Sequence, residues 1–188
     1  KTLTVASDGA SERLRMGMEK KIRARHLIKA AELAGAHGIP VLKVYMMIGV
    51  PGETDADLDE FIDLCFKQDK IAGPQTRIAI GIAPFVSKRN TPLDALPFAG
   101  TKIVEKRMAY LRKNLEPKVE LRSTSVRWAW AEYVLAQGDA ETGMACYRAW
   151  KRGGRFVDYK KEFKELDKSS VLEKNLAQKH LASLFALA

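Results

Sequence analysis

Val41-Leu42-Lys43-Val44-Tyr45-Met46-Met47-Ile48, followed at once by Gly49-Val50-Pro51-Gly52-Glu53-Thr54, is the stretch on which the fold turns. The first eight residues are of strand length, and their nearly continuous apolar run is what a parallel strand buried on both faces requires. The Pro-Gly pair supplies a type II turn. Thr54 with Asp57 forms a capping pair, and Leu58, Phe61, Ile62 and Cys65 then recur at i, i+3, i+4 and i+7. A buried strand, a tight turn and an amphipathic helix together make half of a βαβ unit.

The same pattern extends in both directions. Upstream, Thr2-Leu3-Thr4-Val5-Ala6 reads as a strand that opens with no cap or turn before it, so sequence is expected to precede Lys1. The turn-rich Ser7-Asp8-Gly9-Ala10 leads into a helix-prone segment from Ser11. A second helix starts near Ala24, with Leu27, Ala31 and Ala34 on one face, and stops at Gly38 before Pro40. Downstream, residues 77–83 form a third strand ended by Pro84-Phe85-Val86. An irregular loop covers residues 87–100. Thr101 caps a helix lined by Val104, Met108, Leu111 and Leu115, and residues 119–122 are a candidate fourth strand. Repeated βα units with buried strands predict an α/β fold, a partial parallel (β/α) TIM-like barrel over residues 1–122. From Ser125 the pattern is helical throughout, with breaks at Gly138-Asp139 and Gly153-Gly154, so residues 123–188 are read as an all-helical extension.

Composition narrows the function classes. The chain has 188 residues, 46% hydrophobic and 29% charged, which suits one folded domain or one domain with an appendage. No apolar run reaches the roughly 18–20 residues that cross a bilayer, and residues 1–7 lack a secretory pattern, so a cytoplasmic protein without membrane partners is expected. Cys65 and Cys146 sit in apolar helical patterns as small hydrophobes, and no CxxC, CxxxC or HExxH spacing occurs. No metal ligand or catalytic residue is therefore assigned, and His26, His37 and His180 converge with no acid or nucleophile. The net charge of +9 is spread, with concentrations in residues 20–25, 102–113 and 151–164. It reads as solvated helix faces or as a nucleic-acid footprint. Trp128, Trp130, Tyr133, Tyr147 and Trp150 read as core at helical spacing, or as stacking surfaces for bases. An alternative function follows, a basic helical module that binds nucleic acid or a partner.

In parallel α/β proteins ligands bind beyond the carboxyl ends of strands. Three segments lie there, each with two readings. In Ser7-Asp8-Gly9-Ala10-Ser11-Glu12-Arg13, Asp8 is placed to accept hydrogen bonds from a ribose diol or an ammonium group; alternatively the segment is a plain turn with Ser11 as N-cap. In the second, Gly49 leaves the backbone open to a planar group, or the turn needs no ligand, with Glu53 favouring the helix N-terminus. In Pro84-Phe85-Val86-Ser87-Lys88-Arg89-Asn90-Thr91-Pro92, an apolar edge and two cations suit an adenine and an anion, or the cations are solvated.

Taken in order, residues 3–15, Tyr45-Met46-Met47-Ile48-Gly49-Val50-Pro51-Gly52-Glu53-Thr54, and Pro84-Phe85-Val86-Ser87-Lys88 with Asn90-Thr91-Pro92 resemble the second half of a radical S-adenosylmethionine (SAM) enzyme. They are most like the branch that includes methylthiotransferases and proteins with an N-terminal cobalamin-binding-type domain. The resemblance implies an iron-sulfur enzyme that holds a [4Fe-4S] cluster through a CxxxCxxC loop and cleaves SAM reductively to a 5′-deoxyadenosyl radical. It implies that this chain supplies part of the SAM surface without the cluster cysteines and is inactive alone. It further implies an electron donor such as flavodoxin or ferredoxin and a small-molecule or RNA substrate, and it leaves cobalamin open for the complete protein. By the same resemblance Asp8 and Ser11 contact ribose or the methionine moiety, and Lys20 pairs with its carboxylate. Met47, Ile48 and Gly49 lie near adenine, as do Phe85 and Val86. The chain departs from that branch at Asp8, where Glu is usual, and at Ser7, where Pro is usual.

Overall fold

A computed structural model describes residues 1–166. Strands β1 (Thr2–Asp8), β2 (Val41–Ile48), β3 (Arg77–Pro84) and β4 (Glu120–Ser123) form one sheet in that order, with every neighbouring pair parallel. Helices α1 (Glu12–Gly17) and α2 (Ala24–Ala36) connect β1 to β2, α3 (Asp55–Ala72) connects β2 to β3, and α4 (Thr101–Leu115) connects β3 to β4. Helices α5 (Val126–Gln137), α6 (Ala140–Lys151) and α7 (Phe156–Leu166) follow. The parallel β/α order and the helical tail expected from the sequence are thus the observed fold. His180 and the end of the expected extension lie outside the described residues.

Strand periodicity and register place the core. Val44 pairs with Val5 and with Ile80, so Leu3, Val5, Leu42, Val44, Met46, Ile48, Ile78, Ile80 and Ile82 share one face. They pack against Ala31 and Ala34 of α2, Leu58, Phe61 and Cys65 of α3, and Val104, Met108 and Leu111 of α4, the residues whose spacing predicted those helices. Gln68 on α3 donates through Nε2 to the Leu27 carbonyl of α2 at 3.1 Å, which satisfies a buried amide between the two helices.

The opposite face departs from expectation. β2 was expected to be buried on both faces, yet Tyr45 is 45% exposed, and Lys43 and Met47 are half-buried. The described helices cover only the other face. On the open face the Tyr45 ring lies over Gly81, where an added Cβ would come within 2.6 Å of it, and the Lys43 ammonium sits 4.5 Å from the ring centroid. Arg77 and Arg122 flank Glu120 on the same face and both pair with it. Tyrosine, lysine stem and methionine tolerate such half-burial, which is why the run looks continuously apolar without being so buried.

Two boundaries also shift. The N-cap of α4 is Gly100 at φ 91°, not Thr101, and β4 begins one residue later than the candidate strand. The helices of the tail have their own small core of Ala131, Ala145 and Phe163, ringed by Trp130, Val134, Phe156 and Tyr159. The expectation that the tail aromatics are core holds for only part of the set. Trp130 packs on Phe156 and Phe163, and Tyr133 on Phe98, whereas Tyr147 and Trp150 stack on each other in solvent, Trp150 at 62% exposure.

Candidate functional site

Three turns line the carboxyl edge of β1, β2 and β3. At the first, a bulge between Ala6 and Asp8 shifts the β1 register so that Asp8 pairs with Met46, and Asp8 takes φ 62°, a conformation rare for a residue with a side chain. The loop is held from inside by Arg15, whose side chain is fully buried. Its Nη1 donates to Ser7 Oγ (3.3 Å), Gly9 O (3.1 Å) and Ala10 O (3.3 Å), and its Nε donates to Ile22 O (2.9 Å). Burial pulls the Arg15 guanidinium below its ordinary pKa, opposed by Glu60 and Glu12, and the group remains charged at neutral pH.

The second turn, residues 49–54, is organised by an anion. Gly49 has φ 77°, and a Cβ there would approach Val104 Cγ2 to 2.9 Å. Glu53, read from sequence as favouring the N-terminus of α3, instead turns back, and its Oε2 accepts the Gly49 amide at 2.8 Å. Arg107 of α4 donates Nη1 to the same oxygen (2.9 Å) and Nη2 to the Glu53 carbonyl (2.6 Å). Burial pushes the Glu53 carboxyl up to about 7, resisted by the Gly49 amide and by Arg107.

Asp57 joins the two turns. Its carboxylate accepts from Ser11 Oγ (2.5 Å), Arg13 Nη2 (2.7 Å), and the amide and hydroxyl of Thr54 (2.7 Å each). Burial works against its ionised form, but the hydrogen bonds from Ser11, Arg13 and Thr54 outweigh it and hold the carboxyl below the usual range. Arg13 also donates to Gly52 O at 3.0 Å, so α1 grips the second turn at two points.

At the third turn Phe85 donates its amide to Ile48 O at 2.8 Å, and Ser87 bonds to Leu96 O at 2.8 Å. Lys88 and Arg89 neither reach the other two turns nor stand free in solvent. Lys88 pairs with Glu132 of α5, and Arg89 donates to Gln137 O at 2.7 Å, fastening the loop to the tail.

Asp8 and Lys20 are brought together, with Lys20 Nζ 3.1 Å from Asp8 Oδ2 and the two side chains 48% and 26% exposed for Lys20 and Asp8. Met47 and Val86 are half-buried, and Gly49 is buried under α4. The side chains of Ile48 and Phe85 point into the core, and Ser11 is buried between the Leu14 amide and Asp57. Sequence reasoning missed Arg15, Arg107 and the second duty of Asp57, and it missed the open-face set of Lys43, Tyr45, Arg77, Glu120 and Arg122. Gly49 and Thr54 hinted at a built turn; nothing local marks Arg15 or Arg107, because their partners are backbone groups or distant in sequence.

A cleft of about 370 Å³ lies apart from these turns, between α4, the end of β4 and the start of α5, lined by Met108, Arg112, Ser123, Thr124 and Arg127 among others. Among the described residues no group of three or more His, Cys, Asp or Glu is placed to hold a metal ion, and no helix is long and apolar enough to cross a membrane.

Comparison with known proteins bears on the first two turns. The model of the Radical SAM superfamily matches residues 1–65, which span β1, α1, α2, β2 and the start of α3. An uncharacterized protein of Methanocaldococcus jannaschii is 29% identical over 183 residues, covering 95% of this chain and 38% of its own length. The chain thus spans well under half of that curated relative. No solved structure matches the chain.

Proposed function

We propose that this chain is part of a radical SAM iron-sulfur enzyme and carries one side of its SAM site along the carboxyl edge of β1, β2 and β3. The observation that carries the reading is the pair of adjoining turns after β1 and β2. Both lie inside the matched region, and both are braced from within by buried ions, with the Asp8–Lys20 pair left open to solvent at the edge. When bound beside a reduced [4Fe-4S] cluster, SAM supplies a 5′-deoxyadenosyl radical; the residues that ligate such a cluster are not among those described here.

The chain's own residues fit the cofactor unevenly. Asp8 and Lys20 suit the ammonium and carboxylate of the methionine moiety, and a zwitterion entering between them exchanges one exposed ion pair for two. Met47 and Val86, both half-buried, offer an apolar rim for adenine, with the buried Gly49 turn behind it. Ile48 and Phe85 support that rim from behind, and Ser11 acts through Asp57 rather than on the ligand. The three sequence motifs in order support kinship with the methylthiotransferase and cobalamin-binding branch. In this reading a flavodoxin- or ferredoxin-type protein delivers the electron.

A second reading has one observation in its favour. Tyr147 and Trp150 stack at 5.8 Å in solvent with the Lys151 ammonium over the Tyr147 ring, as a base-stacking surface does. The two readings part in one experiment. The complete protein is reconstituted anaerobically with iron and sulfide, reduced, and assayed for 5′-deoxyadenosine from SAM, with this chain alone as control. Product from the complete protein and none from the chain supports the enzyme. No iron uptake and no cleavage, with steeply salt-dependent RNA binding by the chain, replaces it with the binding module.

A further inference from the structure

Arg112 of α4 and Arg127 of α5 border one cleft from two different helices. The cleft, of about 370 Å³, lies where β4 ends, and parallel sheets receive ligands beyond the carboxyl ends of their strands. Between the helices run Ser123, Thr124 and Ser125, three hydroxyls in succession. The Thr124 amide donates to Ile82 O at 3.0 Å, which ties this run to the sheet. Ser125 caps α5 by accepting the Trp128 amide at 3.5 Å, so the first turn of α5 meets the cleft through Val126 and Arg127. The two guanidiniums remain available. Among the described residues no carboxylate stands within ion-pair distance of Arg127, whose side chain is exposed. Arg112 gives Nη2 to Ser123 Oγ at 3.2 Å and has Glu116 at 3.8 Å from Nε, which leaves Nη1 without a protein partner. By contrast Arg107, Arg122, Arg148 and Arg152 are each matched to a glutamate.

We propose that this cleft binds a small phosphorylated molecule, whose phosphate monoester is held by Arg112, Arg127 and the hydroxyls of residues 123–125. Glu105 also lines the cleft, one carboxylate against two guanidiniums, so the lining keeps a net positive charge. The positive end of the α5 dipole adds to it. Two forked guanidiniums and three hydroxyls offer more donors than the two oxygens of a carboxylate can take, whereas a phosphate monoester brings three strong acceptor oxygens. Met108 and Val126 line the same cleft and give apolar contact to the body of the ligand. A concave site of this volume holds a small molecule rather than a length of polymer. The strand-end turns proposed for SAM use none of these residues, so the two sites stand or fall separately.

The test is isothermal titration of inorganic phosphate and of ribose 5-phosphate into the complete protein, with hydrogen–deuterium exchange to locate the contact. Both probes are expected to bind and to protect residues 123–127. Arg112→Gln and Arg127→Gln are each expected to weaken binding about tenfold, the scale of one charge-assisted hydrogen bond. Arg155→Gln removes an exposed arginine outside the cleft and is expected to bind as wild type does. Circular dichroism on each variant confirms the fold. Wild-type affinity in both cleft variants, protection confined to other residues, or no binding of either probe in the millimolar range overturns the proposal. Tighter binding of a short single-stranded RNA, lost in the same two variants, also overturns it and makes the cleft part of a nucleic-acid surface.

Discussion

The turn after β1 is built around a buried cation and the turn after β2 around a buried anion, and the two ions are served differently. Arg15 points three carbonyls and a hydroxyl inward onto its guanidinium, all neutral dipoles, with Glu60 at 3.9 Å as its nearest carboxylate. Glu53 has a full counter-charge in Arg107 and one amide; each ion leaves one atom without a hydrogen bond, Oε1 of Glu53 and Nη2 of Arg15. Because arginine does not lose its proton in the physiological range, the first turn has a fixed shape. The second is held by a carboxyl that burial pushes up to about 7, so its ionic hold on Arg107 weakens as the carboxyl takes up a proton.

The comparison breaks most visibly at Arg15. Replacement by Met leaves the carbonyls of Ala10 and Ile22 without the Arg15 donor and Gly9 O with the Ser7 hydroxyl alone. We expect a loss of about 3–5 kcal/mol in urea unfolding. Arg15→Lys recovers little, since one ammonium cannot span that arc.

The next effect belongs to Glu53 and has a definite sign. Its folded pKa lies above the unfolded carboxyl value, so the folded state binds the extra proton and stability falls as pH rises between the two values. Wild type is expected to lose about 3 kcal/mol between pH 4.5 and about 7 and then level off, while Glu53→Gln stays flat across that window. Melting curves at a series of pH values decide it, and a wild-type profile as flat as that of the variant would refute the anion's role.

Asp57→Asn sharpens the link between the turns. Asparagine cannot accept with charge from Ser11, Arg13 and Thr54 together, and a loss of about 2 kcal/mol is expected. The wild-type contribution has the acid sign opposite to that of Glu53, present at neutral pH and lost as pH falls through the lowered pKa. The smallest effect on stability is at the exposed pair. Asp8→Asn should cost less than about 1 kcal/mol in denaturation, yet weaken SAM binding if the pair receives the methionine moiety.

What was legible in the sequence followed from periodicity. Leu27, Ala31 and Ala34 on α2, and Leu58, Phe61, Ile62 and Cys65 on α3, are buried as their spacing predicted, and the Thr54–Asp57 capping pair is formed. Periodicity reports which face of an element is apolar, not what that face meets. Hence the β2 run promised two buried faces and has one, and Tyr147 and Trp150 stand in solvent at spacings that also suit a core. The site was legible as three strand ends but not as a network. Arg15 looks like any surface cation on a short helix, and Lys88 and Arg89 find partners on α5 some 44 and 48 residues on. Such contacts are properties of the tertiary fold, and no local rule encodes them.

The most direct test of the central claim is hydrogen–deuterium exchange of the complete, reconstituted protein with and without SAM. The account predicts protection concentrated in residues 7–11, 47–54 and 83–87, with α6 and α7 unchanged. Protection confined to the helical tail, or none along the strand ends despite measurable SAM binding, would contradict it.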